Sequence, residues 1–260
     1  MVAVTHSISP SASPSSALEL LCAGLIPEDA RRVALAHEWV QTLYADRTLG
    51  TGEAVLQHAL GTALIAASLR LDADTRLAAL CFAVGDALPH PIEEVASRYG
   101  EGVAQLVDGL RRLNGLRVIT RTTTTATAPE IRAQSEVLRK MLLAMVEDIR
   151  VVLLRVASRT QTLRYFTDHP GKTRDAVARE SLDIYAPLAN RLGIWQLKWE
   201  LEDLSFRFIE PDTYKRIARM LDERRTEREQ FIQDAIDRLR SELAAVGVEA
   251  EITGRAKHIY

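Results

Sequence analysis

Leu138-Arg-Lys-Met-Leu-Leu-Ala-Met-Val-Glu-Asp-Ile-Arg-Val-Val-Leu-Leu-Arg-Val156 carries the strongest pattern in this 260-residue chain. Leu138, Leu142, Met145, Ile149, Val152 and Val156 recur every three or four residues, which places them on one stripe of a helix. The spacing predicts a long helix across the segment. Working outward, helix-period patterns continue almost without interruption from Leu18 to about Ala245. Pro27 opens a helix through Ala30, Val33, Ala34, His37 and Val40 that stops near Gly50. A second runs from about Glu53 with Leu56, Leu60, Ala63, Leu64, Ala67 and Leu71 on one side. Asp72-Ala-Asp74-Thr75 offers an N-cap for a third over Ala78–Ala87, and Pro89 and Pro91 precede a fourth over Ile92–Tyr99.

Downstream, Pro170-Gly171 breaks the pattern, which resumes through Tyr185, Trp195 and Trp199. Pro211-Asp212 opens a final helix with Ile217, Leu221, Ile232, Ala235, Leu239 and Leu243; its mixed charges over Asp222–Glu229 read as a solvated face. The Thr-rich stretch Arg121–Pro129 lacks a period of two and reads as a surface loop. Only Val246–Thr253 alternates as a strand does, with Val248, Ala250 and Ile252 against Glu249 and Glu251. The expected fold class is all-α, with one strand beginning a second domain that this chain barely enters. A lone strand is unstable without partners, so the chain reads as truncated.

Composition narrows the function classes. With 33 Lys+Arg against 35 Asp+Glu the net charge is −2, which removes the simple argument for bulk DNA or membrane binding. At 47% hydrophobic and 26% charged residues the chain can bury a real core. Clean apolar runs such as Met141–Val146 fall far short of the ~18–20 residues a membrane helix needs. The N-terminus has no secretion-signal pattern, so a cytoplasmic protein is expected. Cys22 and Cys81 form no CxxC pair and read as ordinary thiols. The Ser/Pro-rich residues Ser7–Ala17 read as a flexible tail.

Six histidines are present, His6, His37, His58, His90, His169 and His258, with no HExxH or P-loop pattern. A metal-dependent phosphohydrolase would need His and carboxylate ligands converging from several helices.

Tyr185-Ala-Pro-Leu-Ala-Asn-Arg-Leu-Gly-Ile-Trp-Gln-Leu-Lys-Trp-Glu-Leu-Glu-Asp203 resembles the linker signature of the RelA/SpoT family, which makes and degrades (p)ppGpp. Gly254-Arg255-Ala-Lys257-His258-Ile-Tyr260 resembles the opening of that family's synthetase domain, and similarity extends over residues 18–260. The resemblance implies an HD-type helical bundle over residues 18–168, linker helices over 169–245 and the start of a synthetase domain over 246–260, after a disordered tail over 1–17. It also implies a manganese site held by a first His, a His-Asp pair and a later Asp. His58 stands at the first position, fourteen residues before Asp72. Phe82-Ala83 replaces the His-Asp pair, and Ser158 replaces the later Asp. Neither Phe nor Ala offers a lone pair, and a serine hydroxyl holds a divalent cation poorly.

The expectation is therefore a pseudo-hydrolase of the RelA-type branch, with no metal and no catalytic residue in this chain. The parent, by resemblance, transfers pyrophosphate from ATP to GTP or GDP with Mg2+, and meets ribosome and tRNA through C-terminal domains absent here. Arg255, Lys257 and His258 match the family's first nucleotide-contacting motif. One alternative keeps a guanine-nucleotide-binding allosteric module using Arg159 and Arg164 with Arg111 and Arg112. Another keeps an atypical hydrolase using His58 and Asp86 with Glu147 or Asp148.

Overall fold

The computed structural model describes residues 14–115, 148–222, 225–248, 250 and 252. Helix α1 (Pro14–Cys22) begins inside the Ser/Pro stretch that composition assigns to a tail. Proline suits a first helical turn, and the burial of Ala17 and Leu21 anchors the helix against the core. Then come α2 (Pro27–Leu43), α3 (Val55–Ser68), α4 (Ala73–Leu80), α5 (Pro91–Tyr99) and α6 (Glu101–Gly115). The Asp72 cap forms as the sequence indicates, its carboxylate accepting from the Thr75 N–H at 2.8 Å.

α4 stops at Leu80, short of the expected Ala87, for a reason seated on another helix. The Tyr44 hydroxyl donates to the Leu80 carbonyl at 3.1 Å and accepts from the Ala83 N–H at 3.2 Å. It thereby satisfies a carbonyl that the helix end leaves open and stabilises the turn carrying Phe82 and Ala83. A short 3-10 turn follows at Val84–Asp86.

The long central helix, α7, spans Ile149–Asp168. The expectation of one helix running through Leu138–Val156 fails at Asp148. That residue is extended (φ −122°, ψ 120°) and its carboxylate accepts from the Arg150 N–H at 2.8 Å, an N-cap that starts the helix at Ile149. Residues 116–147, including the Thr-rich stretch, lie outside the described residues.

α7 serves two cores. Val151 and Leu154 close a first core built by α1 to α6. Val152, Val156, Leu163 and Phe166 face a second, made with α8 (Arg174–Glu180), a π-helical turn (Ser181–Tyr185), α9 (Ala186–Arg191) and α10 (Trp195–Ile209). The final helical span divides into α11 (Pro211–Asp222) and α12 (Arg225–Ala245), with residues 223 and 224 outside the described set. Beyond it Val246 and Gly247 form a turn, and no strand forms among the described residues up to 252. A strand there has no described partner to complete its ladder. Residues 253–260, including Arg255, Lys257 and His258, lie outside the described residues. Among the described residues no helix is long and apolar enough to cross a membrane.

Candidate functional site

The loop between α2 and α3 builds one wall of the site. Its backbone closes on itself, Leu49 N–H to the Glu53 carbonyl at 2.8 Å and Val55 N–H to the Arg47 carbonyl at 2.9 Å. Gly52 turns the chain with φ +89°, a conformation that strains any residue with a Cβ. The turn delivers Glu53 inward, where it is only 2% exposed. His58 follows one helical turn into α3 and is equally buried. From the opposite side, α7 presents Ser158 and Gln161, three residues apart and so on one face.

These four side chains form a closed network. Glu53 Oε2 accepts from His58 Nδ1 at 2.7 Å, and Glu53 Oε1 accepts from Gln161 Nε2 at 2.7 Å. Because a carboxylate only accepts, Nδ1 carries the imidazole proton and Nε2 is left as the acceptor. The Ser158 hydroxyl lies 2.8 Å from that Nε2 and donates to it. α3 and α7 come close enough for this reach because residue 61 is glycine; a methyl added there would fall on the Gln161 amide. Phe82 covers the imidazole, its ring centroid 5.1 Å away, and meets Tyr44 edge-on at 6.3 Å.

The structure thus brings together His58, Phe82 and Ser158, three of the four positions singled out by the sequence. The fourth, Ala83, is buried beside them with its N–H committed to Tyr44. The residue set does not fit a divalent cation. Both imidazole nitrogens are engaged, the carboxylate of Glu53 has a donor on each oxygen, and an aromatic ring occupies the remaining side. Among the described residues no three His, Cys, Asp or Glu side chains gather as a metal would require.

Among the described residues the alternative constellations do not assemble. Asp86 lies in the 3-10 turn beside a different cavity of about 320 Å3, with its carbonyl accepting from Arg47. Asp148 caps α7 and pairs with Arg150 at 2.6 Å, while Glu147 lies outside the described residues. Arg159 is 2% exposed and pairs with Glu180 at 2.9 Å; Arg164 is paired with Glu200; Arg111 and Arg112 both turn to Asp108 on their own helix. The arginines proposed for phosphates are therefore internal or surface ion pairs.

Arg159 instead serves the second core. Its guanidinium lies 4.4 Å from the Tyr185 ring centroid and that of Arg155 lies 5.6 Å away. Burial raises the Tyr185 phenol, but the two cations outweigh it and hold the group below its ordinary value.

Sequence reasoning missed Glu53 and Gln161. Glu53 reads only as a helix start, although a Glu five residues before the singled-out His58 was an available signal; Gln161 stands one turn beyond Ser158.

In this all-α bundle a hydrogen bond joins His58 and Ser158, two positions where the resemblance implies metal ligands of an HD-type domain. A family model described as HD domain matches residues 36–195. The chain is 41% identical over 226 residues to GTP pyrophosphokinase of Escherichia coli (strain K12), covering 87% of this chain and 30% of that protein. It is 40% identical over 211 residues to GTP pyrophosphokinase of Myxococcus xanthus, covering 81% and 27%. Against bifunctional (p)ppGpp synthase/hydrolase SpoT of Escherichia coli (strain K12) it is 34% identical over 236 residues, covering 90% and 32%. The chain belongs to the RelA/SpoT family and carries its HD domain. It spans less than a third of the length of each of these relatives.

Proposed function

We propose that this chain is the N-terminal regulatory region of a RelA-type (p)ppGpp synthetase, with a hydrolase site that no longer works. Residues 18–168 are the pseudo-hydrolase domain, 169–245 the linker helices, and 246–260 the start of the synthetase domain. The observation that carries this reading is the capture of both His58 nitrogens by Glu53 and Ser158, under Phe82. A metal-activated water needs carboxylate and imidazole groups free to bind the ion, and here His58 and Glu53 are both engaged.

In the whole protein the reaction is pyrophosphate transfer from ATP to the 3′-hydroxyl of GTP or GDP, supported by Mg2+, in the cytoplasm. Arg255 and Lys257 neutralise triphosphate charge at the opening of that site, with His258 in the same nucleotide-contacting motif, and ribosome and tRNA are met elsewhere in the protein. α7 links the pseudo-hydrolase core to the linker core, so a shift in one packs differently against the other. The chain alone turns over neither reaction. The test is metal content and (p)ppGpp hydrolysis of the purified chain in manganese. Absence of stoichiometric metal and of released pyrophosphate is expected; about one manganese per chain with cleavage overturns the reading.

A further inference from the structure

α12 has 21 residues, about 32 Å of helix, and none of its residues belongs to either core. A helix in a protein draws most of its stability from burying an apolar face, so one that packs into no core needs a partner. Phe231, Ile232, Ala235, Leu239 and Leu243 recur at steps of three or four and therefore share one face. Phe231 is 74% exposed and Leu239 52% exposed. A continuous apolar stripe left on the surface marks a place where another chain binds.

The charges beside the stripe select the partner. Asp234 and Arg238 stand one turn apart on one flank; Asp234 accepts from the Gln230 amide at 2.8 Å and forms no ion pair with Arg238. Arg240 is instead paired with Asp237 at 3.1 Å. When a second copy of the helix lies antiparallel on the first, the same flank of both helices meets itself, and every contact occurs twice about a two-fold axis. With that axis at Ile236, midway between the two charges, Asp234 comes opposite the copy's Arg238 and Arg238 opposite the copy's Asp234. In this register Leu239 of each copy falls between Ile232 and Ala235 of the other, so the apolar stripe interdigitates where the charges match. In a parallel pair Arg238 would face Leu243 and its charge would go unmatched.

We propose that α12 is a self-association surface through which two copies of this chain pair antiparallel, with the stripe around Leu239 as its core and Asp234 and Arg238 setting its direction. One pair of helices of this length makes a small contact, so the dimer forms and separates with concentration. No residue of the network around His58 takes part, and the inference stands apart from the reading of that site.

The test is sedimentation velocity of the purified chain from about 1 μM to about 100 μM. The mass is expected to rise with concentration from 28.9 kDa toward twice that value. Leu239→Glu should hold it at 28.9 kDa throughout, with the melting temperature of the bundle unchanged because Leu239 lies outside both cores. Asp234→Arg and Arg238→Asp each set like charges opposite one another and should weaken self-association at least about threefold. Mixed in equal amounts, the two variants restore both ion pairs and should associate with each other more tightly than either does alone. A monomer across the whole range, as when residues after 246 cover the stripe, overturns the proposal. So does a dimer that survives Leu239→Glu, or a mixture no tighter than its components.

Discussion

Removing the Glu53 carboxylate tests whether the rebuilt site holds the two helices together. Glu53→Ala strips the acceptor from His58 Nδ1–H and from Gln161 Nε2–H, both in a place where Glu53 is only 2% exposed. A buried donor left without a partner costs about 1–3 kcal/mol, so two orphans cost about 2–6 kcal/mol. Against a domain stability on the order of 5–15 kcal/mol this is a large fraction. At about 2–4 °C per kcal/mol, a loss of 2–6 kcal/mol lowers the melting temperature by roughly 4–24 °C. The assay is urea denaturation followed by far-UV circular dichroism on the parent, Glu53→Ala, His58→Leu and the double variant. Because the double variant leaves no imidazole to orphan, it should lose less than the sum of the single losses by at least about 1 kcal/mol. A Glu53→Ala loss below about 1 kcal/mol, or additivity within about 0.5 kcal/mol, refutes the network as a structural element.

Tyr44→Phe removes the hydroxyl that serves the Leu80 carbonyl and the Ala83 N–H, and should cost about 1–3 kcal/mol in chemical denaturation. Amide exchange at Ala83 should speed up in the same variant, and unchanged protection there counts against Tyr44 as the stop for α4. Burial holds the His37 imidazole below its ordinary value, with Glu38 opposing only in part. As pH falls below about 6.5 the unfolded chain takes up a proton before the folded one does. Stability is therefore flat above that pH and declines from about 6.5 down through the folded value, where the slope ends. A urea-midpoint series from neutral to acidic pH reads this directly; if His37→Gln keeps the same slope in that window, another group is responsible.

Much of the first core is legible in the sequence because it rests on local signals. The stripes of α2 and α3, the Asp72 cap and the proline at the start of α5 each depend on residues within one or two turns. The failures occur where a distant residue decides. The apolar spacing of Leu138–Val156 runs straight across Asp148, and period alone cannot see that this side chain caps a new helix. α4 is ended by Tyr44, thirty-six residues earlier in the chain. At the site, the comparison of motifs names His58, Phe82, Ala83 and Ser158, and three of them meet in space. Glu53 and Gln161 escape because their roles come from the Gly52 turn and from the α3–α7 approach that Gly61 permits. Neither is a property of a single element.

The four side chains explain one another. A metal centre keeps several electron-rich groups together by means of the cation, and without it those groups repel or stand unsatisfied. Here the donors and acceptors balance internally. Glu53 offers two oxygens and receives two donors; His58 has one nitrogen that gives and one that accepts; Ser158 supplies the hydroxyl that a carboxylate at its position could not. Phe82 completes the arrangement by covering the ring with apolar surface, where a second imidazole would have required a partner of its own. Under the proposed reading of a lost metal site, the residues at 82 and 158 therefore form a set. Restoring a ligand at residue 158 alone would set a second carboxylate against a nitrogen already oriented by Glu53, and restoring one at residue 82 would still leave His58 engaged on both sides. The closed network needs no ion, and under the proposed reading no single one of these changes opens both His58 nitrogens to a metal.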